Sequence, residues 1–120
     1  MILVDSNAWI SHLRARDDIL VHHIRQQRVV TCDVVVGELA LGSRLPGALA
    51  EQLGRLPHVP SPSASATRAF VERHAAVFRG SGVGWADAQI ILAGSDSGSR
   101  IYSADEAVRT VWRQLGFRLA

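Results

Sequence analysis

The sequence predicts an α/β fold in which a mostly parallel β-sheet is flanked by helices. Short runs of β-branched and apolar residues alternate with longer amphipathic stretches along the chain, and strands that alternate with helices usually form parallel sheets. The 120 residues are 48% hydrophobic, which suits one compact domain with a substantial core. The sequence contains no internal repeats, so we expect a single domain over residues 1–120.

Periodicity and capping residues predict the elements in order. The expected strands are Ile2–Val4, Arg28–Cys32, Ser99–Ser103 and an edge strand at "FRL" near the end. The expected helices are Ser6–Arg14, a helix capped by Asp17 or Asp18 and ending near Arg25, "VVVGELALG" capped by Asp33, Pro46–Leu53, Thr67–Phe78, "WADAQIILAGS" ending near Gly94, and a helix capped by Asp105 and ending near Leu115. The stretches "LPHVPSPSAS" and "RGSGVG" are expected to be loops.

The composition excludes several kinds of protein and mechanism. All 13 basic residues are arginine, so chemistry that needs a Schiff-base or P-loop lysine is excluded. No run approaches the ~18 apolar residues of a membrane span, and the N-terminus lacks the basic region of a signal peptide. Cys32 has no second cysteine to pair with, which favours a reducing cytoplasm. The net charge of +2 is only a weak indication of an anionic partner.

Two aspartates lie at the ends of predicted strands. Asp5 directly follows Ile2–Val4, and Asp105 comes shortly after Ile101–Ser103. Each has an ordinary alternative role as a helix N-cap, because aspartate is favoured at that position. In open parallel sheets, however, functional sites form beyond the carboxyl ends of the strands. Both residues are therefore candidates for one site at that edge of the sheet.

Two further acids fall on apolar faces of predicted helices. Glu38 shares a narrow stripe, expected to face the core, with Val34, Leu41 and Leu45. Asp87 shares a face with Ile90, Ile91 and Gly94. Burying a lone carboxylate costs several kcal/mol unless it is paired, protonated or bound to a metal. The alternatives are an arginine partner for Glu38 and a helix cap for Asp87.

Taken together, the four carboxylates predict a metal site. Clustered carboxylates repel one another, so they need cations to stay ionised. Ligands that are all oxygen select hard ions, of which Mg²⁺ and Mn²⁺ are the relevant ones. Such ions activate a water molecule and stabilise both oxygens of an in-line phosphoryl displacement. The expected chemistry is that of a phosphodiesterase.

The same residues carry a resemblance to a known family. The stretches "VDSNAWI", "GELALG", "SGVGWADAQIILA" and "IYSAD", in this order and spacing, resemble the PIN-domain ribonucleases, and most closely the VapC-type toxins of toxin–antitoxin pairs. The resemblance covers nearly the whole chain. It implies a PIN-like nuclease domain over residues 1–120 and a Mg²⁺- or Mn²⁺-dependent endoribonuclease. It also implies a homodimer and a small antitoxin protein that blocks the active site.

The resemblance implies roles for individual residues as well. The family's catalytic, metal-binding acids correspond to Asp5, Glu38, Asp87 and Asp105. Segments that line the site in the family correspond to Ser6, Asn7 and Ser103. The chain departs from the family after Asp105, where "EAV" stands in place of the second acid or basic residue and the aromatic residue that relatives often carry.

Arginine and tryptophan residues are the remaining candidates for RNA contacts. Phosphate contacts are predicted at Arg14, Arg16 and Arg79, with a solvated surface charge as the alternative for each. The three tryptophans are expected to be core or dimer contacts. Trp85 is also close enough to Asp87 in sequence to stack on a base.

Two other functions compete with the nuclease. A phosphohydrolase that used Asp5 as a covalent nucleophile would usually pair Asp-x-Asp with a lysine, but the third position is Asn7 and the chain has no lysine. A catalytically silent PIN-like module that only binds RNA or protein would be favoured by loss of an acid, yet all four positions are filled. Transfer, ribosomal and messenger RNA all stay open as substrates, because specificity would lie in loop shape and arginine placement.

Overall fold

The fold is built on a three-stranded parallel sheet with its first strand in the middle. The computed structural model of the chain describes residues 1–42 and 46–120. The strands are β1 (Ile2–Val4), β2 (Val29–Val30) and β3 (Arg100–Tyr102). They are arranged in the order β2–β1–β3, and Ile2 lies opposite both Val29 and Arg100. The predicted α/β class with a mostly parallel sheet is confirmed.

Within residues 1–42 and 46–120, eight helices surround this sheet. They are α1 (Ser6–Arg14), α2 (Asp18–Arg25), α3 (Asp33–Gly42), α4 (Gly47–Arg55), α5 (Ala64–Arg73), α6 (Ala75–Phe78), α7 (Trp85–Ser97) and α8 (Glu106–Gln114). None of these described helices has the length and apolar character needed to cross a membrane. Helix α3 packs against both α1 and α7, and α7 also packs against α5, α8 and β3.

Aspartate residues are the N-caps of three helices. Asp5 caps α1, Asp17 caps α2 and Asp105 caps α8. Each carboxylate accepts backbone N–H groups that have no partner within the first turn of a helix. The predicted starts of α1 and α8 are therefore confirmed, and the cap of α2 is Asp17 rather than Asp18.

Two predicted strands are shorter in the structure than in the sequence-based expectation. Of Arg28–Cys32, only the two residues of β2 pair with β1, while Thr31 forms an isolated parallel bridge with His58. That bridge is the only extended pairing of the proline-rich loop among the described residues. Near the end of the chain, Leu119 forms a single parallel bridge with Ile101, so the expected edge strand is reduced to one bridge.

Helix α7 continues past Gly94, where the sequence predicted its end. It ends at Ser97, and Gly98 adopts a left-handed conformation with φ of 67°, which glycine takes without steric cost. A Cβ atom at Gly94 would lie 3.2 Å from side-chain atoms of Ile101 and Trp112. Gly94 therefore serves the close packing of α7 against β3 and α8, and not the end of a helix.

Three other helices differ from prediction at their ends. The single helix expected over Thr67–Phe78 starts earlier, because Ser63 caps it, and is interrupted at His74. Asp33 is the first residue of α3 rather than its cap. Pro46 is the N-cap of α4 instead of a residue in its first turn.

The core lies where the sheet meets α7 and α8. Its fully buried side chains include Leu3, Val4, Ile90, Ile91, Ile101, Val108 and Trp112. Cys32 is also fully buried, as its position at the end of a predicted strand indicated. Because β1 and β3 are parallel and α1 and α8 begin just after them, both helix starts lie at the same edge of the sheet.

Candidate active site

Asp5 is held at the carboxyl end of β1, and only 1% of the residue is exposed. Its backbone N–H donates to the carbonyl of Tyr102 at 3.0 Å, which continues the pairing of β1 with β3. One carboxylate oxygen, Oδ1, accepts the N–H of Ala8 at 2.9 Å. The other, Oδ2, accepts the hydroxyl of Ser103. Asp5 is thus a helix cap and also a buried acid at the predicted edge of the sheet.

Asp105, shortly after the end of β3, is likewise both a helix cap and an acid at this edge of the sheet. Its Oδ1 accepts the N–H groups of Ala107 at 2.8 Å and Val108 at 3.2 Å, which caps α8. Its Oδ2 accepts the side-chain amide of Asn7 at 3.3 Å. Asn7 lies in the first turn of α1, so this bond connects the starts of α1 and α8.

Two serines tie the acids to one another and to the backbone. The hydroxyl of Ser103 donates to Asp5 and accepts the N–H of Asp105 at 3.0 Å. The hydroxyl of Ser6 donates to Oε1 of Glu38 at 3.0 Å, which links α1 to α3. The structure therefore brings Ser6, Ser103 and Asn7, the residues predicted to line the site, into contact with three of the four predicted acids.

Glu38 is half-buried on α3, and Val34 of the predicted stripe packs against the core, but the stripe is wrong at Leu41. Leu41, expected on the core-facing stripe, is 92% exposed, and Leu45 lies outside the described residues. The buried residues of α3 are Val35 and Leu39. The cause is that the apolar residues of α3 are distributed around its whole circumference, so the periodicity does not single out one face.

Asp87 lies in the first turn of α7 and is half-buried. The backbone N–H of Gly84, the N-cap residue, donates to its carboxylate. This is the reach back to the N-cap that an acid makes at the third helical position. The N-cap of α7 is therefore Gly84 and not Asp87, and Asp87 supports the helix start from inside the first turn while the charge of Asp105 acts on it.

The four acids are close enough for their charges to interact. The pKa of Asp5 is raised to about 6, mainly by burial and also by the negative charges of Asp87 and Asp105, while hydrogen bonds from Ser103 and Ala8 oppose the rise. Burial, and then the charge of Asp87, raises the pKa of Glu38. Burial, and then the charge of Asp105, raises the pKa of Asp87. Each member of the predicted quartet thus interacts with at least one other member.

No described cation neutralises this quartet. The ion pairs within residues 1–42 and 46–120 involve only the acids Asp18, Glu51, Glu72 and Glu106. The arginine partner considered for Glu38 is therefore not found in this part of the chain. Arg109 lies beside Ser103, to whose carbonyl its Nη1 donates at 3.4 Å, while its Nε lies 3.6 Å from Glu106.

The donor chemistry of the quartet fits a divalent ion, but its present spacing does not. Among the described residues, no group of three or more histidine, cysteine, aspartate or glutamate side chains is arranged so that it could hold a metal ion. Four like charges without a cation repel one another, which opposes a tighter arrangement. The donors themselves fit a hard ion, because all are carboxylate oxygens and no described cation competes for them.

The three predicted phosphate-binding arginines have different surroundings. Arg14 lines a groove of about 330 Å³ that also includes Asn7 and Asp105, so it lies beside the acids. Arg16 is exposed and pairs with Asp18 at 2.9 Å. Arg79 lines a separate groove at the start of α7. The position of Arg109 next to Ser103 was missed, although it lies one turn after Asp105 on the same helix.

The tryptophans are divided between the core and the surface. Trp9 and Trp112 are buried, with exposed fractions of 3% and 1%. Trp85 is 49% exposed, so of its predicted roles the core position is wrong, whereas a dimer contact and base stacking stay predictions. It lies in the first turn of α7, two residues before Asp87.

Two known proteins are similar to the chain over nearly its full length. Ribonuclease VapC32 of Mycobacterium tuberculosis, in strains CDC 1551 and H37Rv, is 31% identical over 125 aligned positions, which cover 100% of this chain and 97% of the relative. The crystal structure of FitAcB from Neisseria gonorrhoeae superposes with a TM-score of 0.58 at 21% identity, and the match covers 94% of each chain. No protein-family model matches the sequence. The structural likeness confirms the predicted PIN-like fold.

The raised pKa of Asp5 predicts how stability depends on pH. The folded chain holds the Asp5 proton with a pKa of about 6, against an ordinary value of 3.8, so the protonated form favours folding. This contribution is fully present below pH ~4 and is lost as the pH rises through ~6, at a cost of about 3 kcal/mol. The pKa shifts of Glu38 and Asp87 act in the same direction.

Urea unfolding between pH 4 and pH 7, with EDTA present, measures this effect. The wild-type chain is expected to lose free energy of unfolding across the range, whereas Asp5→Asn should lose less and be the more stable protein at pH 7. Asp96→Asn, at an exposed position of α7, is the matched control and should follow the wild type. Identical pH slopes for the wild type and Asp5→Asn would contradict the burial of an ionisable Asp5.

Proposed function

Because the chain belongs to the VapC family of ribonucleases, we propose that it is a metal-dependent endoribonuclease and the toxin of a toxin–antitoxin pair. The observation that carries the proposal is the set of acids at one edge of the sheet. Asp5, Glu38, Asp87 and Asp105 interact through their charges, and no described cation neutralises them. A protein keeps such an expensive arrangement where it binds a cation.

The four carboxylates would together hold Mg²⁺ or Mn²⁺. When bound, such an ion supplies an activated water and stabilises the charge that develops on the phosphate and the leaving oxygen. No side-chain nucleophile is required, and the products are expected to carry 3′-hydroxyl and 5′-phosphate ends. Whether one or two ions are bound depends on how closely Asp105 approaches the other acids.

Neighbouring polar groups position the acids for this task. The hydroxyl of Ser103 and the N–H of Ala8 fix the two oxygens of Asp5, so the carboxylate is oriented before any ligand arrives. Asn7 and Ser6 do the same for Asp105 and Glu38. The hydrogen bonds from Ser103 and Ala8 also lower the pKa of Asp5 against the effect of burial, which favours the ionised form that a cation needs.

The competing reading of Asp5 as a covalent nucleophile gains no support from this geometry. Both carboxylate oxygens of Asp5 already accept hydrogen bonds, which reduces their nucleophilicity. Asn7, at the position where a second aspartate would serve as the acid, donates its amide to Asp105. A catalytically silent module that only binds RNA or protein is the remaining alternative.

The expected partners follow from the same family membership. RNA is the proposed substrate, and Arg14, in the groove beside Asp105, is placed to attract its phosphates. A cognate antitoxin and a homodimer are proposed, and Leu13, which is 41% exposed on α1, offers an apolar contact for such an interface. A reducing cytoplasm, in which the buried thiol of Cys32 stays reduced, is the proposed location.

The proposed activity predicts which variants lose RNA cleavage. Purified wild-type protein should cleave labelled single-stranded RNA in Mg²⁺ or Mn²⁺ and stop when EDTA is added. Asp5→Asn and Asp87→Asn should each lower the rate by at least about 100-fold, because each removes a charged ligand. Asp96→Asn should keep the wild-type rate. Undiminished cleavage by Asp5→Asn and Asp87→Asn would remove both residues from the mechanism, and binding without cleavage in any divalent ion would favour the silent module.

The toxin role predicts an effect on living cells. Expression of the wild-type gene alone should stop growth, because uncontrolled cleavage depletes an essential RNA, and Asp5→Asn at the same protein level should not. Colony counts and growth curves after induction, with immunoblots for protein level, measure the difference. Equal toxicity of the two proteins would refute a toxin that acts through these acids.

A further inference from the structure

A second groove lies at the start of α7. It has a volume of about 190 Å³, and its walls include Val71, Phe78, Arg79, Val83, Trp85 and Ala88. We call it the Trp85 groove. Its walls are apolar apart from one guanidinium group, which is an unusual combination for a solvent-exposed surface. A ligand that fits it has a flat apolar part and a negative charge close by.

Trp85 is the exposed aromatic side chain of this groove. Half of it, 49%, is open to solvent, whereas Trp9 and Trp112 are buried. An indole is the largest aromatic surface that a protein can offer, and nucleobases stack on such surfaces whatever their sequence. Stacking requires a base that is not already stacked within a duplex.

Arg79 supplies the positive charge of the Trp85 groove. Among the ion pairs of residues 1–42 and 46–120, none involves Arg79, so no described carboxylate competes for its guanidinium. The loop that follows Arg79 is stabilised by its own hydrogen bonds. Ser81 donates its hydroxyl to the carbonyl of Phe78 at 2.6 Å and accepts the N–H of Val83 at 3.1 Å. The wall of the groove is therefore already formed before a ligand binds.

The groove and the acids share one helix end. Trp85 and Asp87 both lie in the first turn of α7, and residues two apart on a helix point about 200° apart around its axis. They therefore face different sides of the same helix end. The loop between Arg79 and α7 also lies close to α8. A Cβ at Gly82 would lie 3.9 Å from Cβ of Ala107, which is in the first turn of α8 after Asp105.

From this placement we propose that the Trp85 groove binds an unpaired base of an RNA substrate. The base belongs to a nucleotide that flanks the scissile phosphate, and it stacks on the indole of Trp85 while Arg79 contacts a phosphate of the same strand. The inference rests on the proposed ribonuclease function and adds to it a preference for single-stranded RNA. A strand that crosses the end of α7 reaches the acids with one nucleotide and the groove with a neighbour.

RNA binding in a cleavage-deficient background tests the groove separately from catalysis. In Asp5→Asn protein, the affinity for a labelled single-stranded oligoribonucleotide is measured by fluorescence anisotropy. Adding Trp85→Ala should weaken binding by about fivefold to 100-fold, the usual effect of losing one stacked base, and Trp85→Phe should recover most of the loss. Ile19→Ala removes another large exposed side chain, 62% exposed on α2, and should leave affinity unchanged.

Abasic substrates distinguish stacking from a merely structural effect. Oligoribonucleotides that lack one base, at each position in turn, are bound to the same proteins. With Trp85 present, the loss of one particular base should weaken binding about as much as Trp85→Ala does, and with Trp85→Ala the loss of that base should cost nothing further. An equal effect of Trp85→Ala on every abasic oligonucleotide, or no effect at all, would overturn the proposal.

Salt dependence tests the role of Arg79. Arg79→Ala should lower the slope of log affinity against log salt concentration by about one. Arg68→Ala should not change the slope, because Arg68 pairs with Glu72 at 3.0 Å on the exposed side of α5. An unchanged slope for Arg79→Ala would overturn the assigned phosphate contact.

Two further outcomes separate this inference from its premise. If Trp85→Ala converts a dimer into a monomer and leaves RNA affinity unchanged, the groove is a contact between copies of the chain and the inference is wrong. If wild-type protein binds RNA through Trp85 but never cleaves it, the proposed ribonuclease function fails and the base-binding groove stands.

Discussion

The parallel pairing of β1 with β3 is the constraint on which the site depends. It aligns the carboxyl ends of both strands, so that Asp5 and Asp105 come to one edge of the sheet. The hydroxyl of Ser103 then joins the two ends by donating to Asp5 and accepting the N–H of Asp105. Helices α1 and α8 start from the same two aspartates, so the elements that form the fold also position the acids.

This arrangement sets stability against function. An acid with a raised pKa destabilises the folded chain at neutral pH, and burial is the largest cause of the raised pKa of Asp5. A neutral residue at position 5 would remove the cost of burying a charge, but it would also remove a ligand for a cation. The acids also serve as helix caps, which returns part of the cost because each cap satisfies backbone donors. The cap and metal-site readings of Asp5 and Asp105 are thus complementary rather than exclusive.

The sequence predicted the parallel sheet and the starts of α1 and α8, because strand ends and caps are local signals. It failed where the outcome depended on packing. The predicted core-facing stripe of α3 included Leu41, which is exposed, because the apolar residues of that helix are distributed around its whole circumference. The sequence places the end of α7 near Gly94, because the packing of Gly94 against Trp112 is a long-range contact that local signals do not show. Which of the three tryptophans is exposed also depends on such contacts.

Anomalous diffraction from crystals grown with Mn²⁺ tests the central claim most directly, because it locates the ion without reference to activity. The account predicts a strong anomalous peak within coordination distance of carboxylate oxygens from Asp5, Glu38 and Asp87, and its absence in Asp5→Asn crystals. A map without density among these acids at millimolar Mn²⁺, with the carboxylates paired to arginine instead, would contradict the account.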